Sequence, residues 1–69
     1  MINEENAFSI LQLDGSATAE EILAKYEKLK GHYKRIKSET GDLKTQLECQ
    51  LKQIELDDVY IYFIKKQRI

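Results

Sequence analysis

The side chains of this 69-residue chain that could do acid–base or nucleophilic chemistry are three pairs of adjacent acids, one histidine and one cysteine. The acid pairs are Glu4/Glu5, Glu20/Glu21 and Asp57/Asp58. A catalytic acid and base must converge on one bond, whereas adjacent residues of a helix point in different directions. His32 has no Ser, Cys or Asp relay near it in the sequence. We therefore predict no catalytic residues and expect that the chain is not an enzyme.

Cys49 is the only cysteine and His32 the only histidine, which excludes an internal disulfide and a zinc cluster of the usual spacing. We predict no metal site and no cofactor, and we expect the Cys49 thiol to be buried and inert. One free thiol fits a reducing compartment. We expect the cytoplasm, and a reducing organelle such as the mitochondrial matrix stays open.

Length and composition favour one small helical domain spanning residues 1–69. A chain of this size buries only about 60% of the surface that its unfolded form exposes. Proline is absent and charged residues make up 33% of the sequence, as is typical of a helical protein. Met1 is followed by Asn and Glu, which does not resemble a signal peptide. The longest apolar run, Val59–Ile64, is far shorter than the 20 or so residues that cross a bilayer. We expect a soluble chain with no membrane insertion.

Capping signals divide the chain into three helices. Asn3 can cap a first helix over residues 4–13, which Gly15 can end with a positive φ. Thr18 and Glu21 have the spacing of a capping box at the start of a second helix, which should end near Ser38. Asp42 can cap the third helix. The predicted fold is all-α: a short helix followed by a long antiparallel helical hairpin.

The third helix carries two apolar faces. We predict that the face with Leu47, Leu51 and Ile54 packs on the second helix, and that Asp58 either pairs with a cation or hydroxyl there or lies beyond the end of the packed face. The predicted core is Leu11, Ile22, Tyr26, Leu29, Leu47, Leu51 and Ile54. The other face has Leu56, Val59 and Phe63, and we predict that it contacts a partner protein or a second copy of the chain. Residues 59–64 also have high β-propensity, but a lone strand has no partner in a helical chain, so we favour helix.

Eight residues in the first half of the chain form a spaced pattern that needs no gap: Phe8, Leu11, Leu13, Ala17, Glu21, Ile22, Tyr26 and Leu29. Their spacing resembles that of the J-domain (DnaJ-like) superfamily. The resemblance implies a helical hairpin with a short first helix packed beside it. It also implies a protein partner, either a J-protein or a heat-shock chaperone.

The family's working tripeptide, His-Pro-Asp, is missing from this chain. At the family's spacing from Leu29, its three positions are occupied by Lys34, Arg35 and Ile36, and His32 comes two residues too early. Lys25 also stands where the family usually has a small alanine. The chain therefore resembles the degenerate J-like proteins, one of which restrains a true J-protein in the mitochondrial import motor. By this resemblance it would not activate a chaperone ATPase.

Basic residues are concentrated in the second helix. Residues 25–37 hold six Lys or Arg against one acid, whereas residues 1–21 hold five acids and no Lys or Arg. The resemblance implies that this basic face, with Lys25, Lys28, Lys34 and Arg35, docks on a negative protein surface. A solvated face whose lysine stems cover apolar surface would look the same. The net charge of −1 argues against nucleic-acid binding.

The leading prediction is a non-catalytic protein–protein interaction module, a chaperone-linked regulator or adaptor. The partner-binding residues are predicted to be Lys25, Lys28, Lys34, Arg35, Leu56, Val59 and Phe63. One alternative is a structural helical hairpin that self-associates, with a homodimer formed through the third helix. A further alternative, with less support, is a nucleic-acid-binding helical protein.

Overall fold

The computed structural model describes residues 2–69 as three helices, α1 (Glu4–Ile10), α2 (Ala19–Glu39) and α3 (Leu43–Lys65). The contacts show that α2 and α3 are antiparallel. Tyr26, early in α2, meets Asp57 late in α3, whereas Lys37, late in α2, meets Gln50 early in α3. The predicted all-α fold, a short helix followed by a helical hairpin, is confirmed. None of the helices within residues 2–69 is long and apolar enough to cross a membrane.

The helix starts follow from local capping. The Asn3 side chain accepts from the amide of Asn6 at 2.8 Å, and Asp42 accepts from the amide of Thr45 at 3.1 Å. At the start of α2, Thr18 Oγ1 accepts a hydrogen bond from the Glu21 amide at 3.2 Å. In turn, a carboxylate oxygen of Glu21 accepts a hydrogen bond from the Thr18 amide at 3.3 Å. All three predicted caps are therefore present, because each depends only on residues three positions apart.

The end of α1 differs from the prediction. The helix stops at Ile10 rather than at residue 13, and Gln12, not Gly15, takes the positive φ, at 61°. The amides of Leu13 and Gln12 then bond back to the carbonyls of Phe8 and Ser9 at 2.8 and 2.9 Å. This is a Schellman ending, in which the turn satisfies the last carbonyls of the helix. The same pattern ends α3, where Gln67 has a φ of 59°.

Residues 59–64 belong to α3, so the helix that we favoured for them is confirmed and the strand is excluded. Val59 and Phe63 lie one turn apart on the face of α3 that packs inside the protein. The Phe63 ring contacts Phe8 of α1 with centroids 4.9 Å apart. Helical geometry thus lets two aromatic rings from different helices meet, which compensates for the weak helix propensity of this segment.

The core lies where α1 crosses the open end of the hairpin. Its fully buried members come from all three helices and from the turn after α1: Ala7, Phe8, Leu11, Ile22, Leu56, Val59 and Phe63. Tyr26 and Leu29, which we predicted in the core, are partly buried and pack against this cluster. The prediction that Leu11 and Ile22 belong to the core is thus confirmed.

The two faces of α3 are exchanged relative to the prediction. Leu47, Leu51 and Ile54, predicted to be core, are 57%, 66% and 48% exposed. The residues predicted to bind a partner are instead core: Leu56, Val59 and Phe63 are at most 2% exposed. Both faces are apolar, and the more regular spacing of the outer residues favoured the wrong face. The buried face carries the aromatic Phe63, whose ring packs against Phe8 of α1.

Candidate interaction surface

A row of exposed aliphatic side chains runs along the outside of α3, and we call it the outer stripe. Its five members are Leu43, Leu47, Leu51, Ile54 and Ile61, with exposed fractions between 48% and 68%. Single exposed leucines are normal on protein surfaces, but an aligned set marks an interaction surface more often than a set scattered over the molecule.

The outer stripe lies on the opposite side of α3 from the core. At about 100° per residue, its members fall within an arc of about 80°, and the centre of that arc is about 160° from the centre of the arc of Cys49, Leu56, Val59 and Phe63. The inner face holds the helix against α1 and α2. The outer stripe is therefore presented on a helix whose position is already fixed by its own core.

Three charged residues lie in or beside the outer stripe. Asp58 falls inside its arc, and Lys44 and Lys65 lie near its two ends; all three are exposed. Asp58 does not pair with α2 as one of our two alternatives proposed. That role belongs to its neighbour Asp57, because the inner face of α3 is rotated from the one we predicted.

Asp57 forms a polar cluster with Tyr26 and Lys30 between α2 and α3. The Tyr26 hydroxyl donates to Asp57 Oδ1 at 2.7 Å. Lys30 Nζ donates to the same carboxylate oxygen, and to the Tyr26 hydroxyl at 3.2 Å. The ring of Tyr26 also stacks on Tyr60, with centroids 4.5 Å apart and an angle of 13° between the rings. The cluster joins the two long helices with four side chains.

The cluster shifts the ionisation of its members. The hydrogen bonds from Lys30 and then Tyr26 hold the pKa of the Asp57 carboxyl below its ordinary value. The hydrogen bond to Asp57 raises the pKa of Lys30. Burial, followed by the hydrogen bond to Asp57, raises the pKa of Tyr26. All three shifts favour the state with Asp57 charged negative, Lys30 charged positive and Tyr26 neutral, as in a structural ion pair.

The basic residues of α2 divide into two sets. Lys30 and Lys37 point towards α3, where they bind Asp57 and Gln50. Of the predicted partner-binding residues, Lys25, Lys28 and Arg35 line one open recess of about 690 Å³ beside the turn after α1. Lys34 is exposed but does not line that recess. The structure therefore brings three of the four predicted basic residues together.

His32 and Cys49, which were considered for catalysis and metal binding, differ in burial. His32 is exposed and its ring meets Tyr33 edge-on at 5.3 Å. Cys49 is buried, as expected, with 5% of its surface exposed. Within residues 2–69, no three His, Cys, Asp or Glu side chains are grouped so that they could hold a metal ion.

Comparisons of the chain with protein-family models, with curated proteins and with solved structures find no match. The J-domain resemblance therefore stays a prediction from residue spacing. The function of the chain is therefore inferred from its exposed surfaces. The most distinct is the outer stripe, which sequence reasoning located but assigned to the interior.

Proposed function

We propose that this chain is a non-catalytic protein–protein interaction module that binds through the outer stripe of α3. The supporting observation is that five aliphatic side chains are aligned and about half or more exposed, on a helix whose opposite face is filled by the core. Covering this stripe would remove apolar surface from water, the main favourable contribution to most protein association.

The expected mode of recognition is helix against helix, or helix in an apolar groove. In such complexes an amphipathic helix presents anchors one turn apart, as Leu47, Leu51 and Ile54 are here. Since α3 is already folded and packed on α2, binding does not require the helix to form. That lowers the entropy cost of association relative to a segment that folds on binding.

The test is affinity capture from the native source with three immobilised proteins: wild type, Leu51→Lys and Leu23→Lys. Leu51 lies in the outer stripe, while Leu23 is an exposed leucine of α2 (38% exposed) that serves as the matched control. We expect proteins, or further copies of this chain, that are retained by wild type and Leu23→Lys and lost with Leu51→Lys. Equal retention by all three, with matching circular dichroism spectra, would contradict the proposal.

A second candidate is the chaperone-linked adaptor that the J-domain resemblance implies. Two observations favour it: a short helix packs beside an antiparallel hairpin, and Lys25, Lys28 and Arg35 are grouped on the outer side of α2. In this candidate the basic recess, rather than the outer stripe, docks on an acidic protein surface by charge complementarity.

The second candidate predicts binding without activation. The chain should bind a heat-shock chaperone or its J-protein with a steep salt dependence, and charge reversal at Lys28 and Arg35 should abolish that binding. It should not raise the chaperone's ATP turnover in a single-turnover assay, because Lys34, Arg35 and Ile36 stand where the tripeptide would be. Clear stimulation, or no binding at low salt, would eliminate this candidate.

A further inference from the structure

We propose that the outer stripe pairs with the outer stripe of a second copy of this chain, with the two α3 helices antiparallel. The inference rests on the proposed function and adds the identity of the partner. Three features support it: the spacing of the stripe, the charges within it and the length of α3.

The spacing along the stripe is that of a two-helix seam. Leu47, Leu51, Ile54, Asp58 and Ile61 follow one another at intervals of four, three, four and three residues. That is the heptad repeat with which two helices interlock their side chains. The four aliphatic members lie on the exposed side of α3, so a second helix could approach along this line without displacing any residue of the core.

The charges in the seam favour the antiparallel arrangement. In a parallel pair, each residue of the seam faces its own copy, so Asp58 would face Asp58, and Lys44 and Lys65 would likewise face their copies. Like charges brought together in this way oppose association. In an antiparallel pair centred between Leu51 and Ile54, Asp58 of each copy lies within one turn of Lys44 of the other. Because the dimer is two-fold symmetric, this ion pair occurs twice.

The antiparallel register also aligns the apolar residues. Leu51 of one copy meets Ile54 of the other at the centre, and Leu43 of one copy approaches Ile61 of the other. The acids Glu48 and Glu55 of the two copies come near each other on one flank. Within each copy, Lys52 lies 3.8 Å from Glu55 and reduces that repulsion. A surface that complements itself in this way about a two-fold axis is the requirement for a symmetric dimer.

The length of α3 allows a contact that extends over several helical turns. Its 23 residues extend over about 35 Å. A typical specific interface takes about 800 Å² from each partner, which is about one sixth of the 4985 Å² that this chain exposes. The core formed by the described residues is small, so further apolar burial would also stabilise each copy.

The first test is sedimentation of the full chain over a concentration series. We expect a monomer–dimer equilibrium that Leu51→Lys shifts to monomer and that Leu23→Lys leaves unchanged. Circular dichroism of each variant shows whether the helices are retained. A wild-type monomer at all concentrations overturns the inference, and so does a dimer that persists in Leu51→Lys.

Charge exchange tests the orientation. Asp58→Lys and Lys44→Asp should each weaken the dimer about tenfold, and the double variant should restore it, because the pair is re-formed with the signs reversed. In a parallel dimer each single change only replaces one like-charged pair by another. A dimer insensitive to the single changes therefore overturns the antiparallel arrangement.

Failure of this inference is distinguishable from failure of the proposed function. If wild type is monomeric, yet a foreign protein is captured through Leu51, the outer stripe is an interaction surface and the partner is not a second copy. If wild type is monomeric and co-sediments with phosphatidylcholine/phosphatidylserine vesicles through Leu51, both proposals are wrong. A monomer that neither captures protein nor binds vesicles also overturns both.

Discussion

At the scale of single residues, the cluster of Asp57, Tyr26 and Lys30 is the main polar connection between α2 and α3. The side chains of Lys30 and Asp57 are 34% and 45% exposed, so water screens their charges and the contribution of the ion pair is modest. Its geometry is specific, since one carboxylate oxygen accepts from both a hydroxyl and an ammonium group. The cluster therefore links one position of α2 to one position of α3 and contributes modestly to stability.

Replacement of Asp57 by Asn should lower the free energy of unfolding by about 0.5–1.5 kcal/mol at pH 7, because the ion pair with Lys30 is lost. The pKa of Asp57 is lower in the folded chain than in the unfolded chain. Its contribution is therefore present above the unfolded carboxyl pKa of about 3.9 and is lost as the pH falls through the lower folded pKa. Urea unfolding of both proteins at several pH values should show the difference shrinking in acid.

The control for this prediction is Glu27→Gln, which neutralises an exposed acid of α2 that lies outside the cluster. It should change the free energy of unfolding by less than about 0.5 kcal/mol at any of these pH values. An Asp57→Asn variant as stable as wild type at neutral pH would show that the cluster contributes nothing measurable.

The residue scale also shows what the sequence can and cannot reveal. The three helix caps could be predicted, since each side chain reaches an amide only three positions away. Asp57 was missed in favour of Asp58, although an acid paired with α2 was expected as one alternative. Adjacent residues of a helix point about 100° apart. Because the wrong face of α3 was predicted to be buried, Asp58 rather than Asp57 was expected to meet α2.

At the scale of elements, α3 is apolar on two opposite sides. Its aliphatic residues are more regularly spaced on the outer side, and a single buried stripe is what a small hairpin usually requires. Regular spacing therefore favoured the wrong side of α3. The positions of the aromatic residues could have identified the buried side. Tyr60 and Phe63 lie on the inner side, where their rings contact Tyr26 of α2 and Phe8 of α1.

Replacing a leucine by alanine should change the free energy of unfolding by very different amounts on the two faces of α3. Leu56→Ala removes a fully buried side chain and should lower the free energy of unfolding by about 2–5 kcal/mol. Leu51→Ala removes a side chain that is 66% exposed and should change it by less than about 0.5 kcal/mol in dilute, monomeric protein. Equilibrium unfolding in urea measures both. Equal losses at the two positions would mean that the faces are assigned wrongly.

At the scale of the whole molecule, Arg68 joins the two ends of the chain. Its guanidinium lies 3.3 Å from Glu4 Oε1 and donates to the Gly15 carbonyl at 3.2 Å. It also lies over the Phe8 ring, 5.1 Å from the centroid. The turn at Gln67 that ends α3 places Arg68 there, so a local helix ending determines a contact between residues 53 positions apart. Such a contact cannot be predicted from local spacing.

Arg68 should therefore hold α1 in place. α1 has only seven residues, too few to be stable without packing. Replacement of Arg68 by Ala removes an ion pair, a hydrogen bond and a cation–π contact, and should cost about 1–2 kcal/mol. Because these contacts all end on α1 or the turn after it, that region should open more often while the hairpin persists.

Hydrogen exchange measures this directly. In Arg68→Ala, the amides of Leu11 and Leu13, which bond to the carbonyls of Ala7 and Phe8, should exchange faster by about five- to thirtyfold. Amides in the middle of α2 should change much less if α1 opens locally. Lys65→Ala, a change at an exposed cation three residues earlier, should leave the amides of α1 at their wild-type rates. If Arg68→Ala accelerates α2 and α1 equally, α1 opens only when the whole molecule unfolds, and Arg68 stabilises the fold globally.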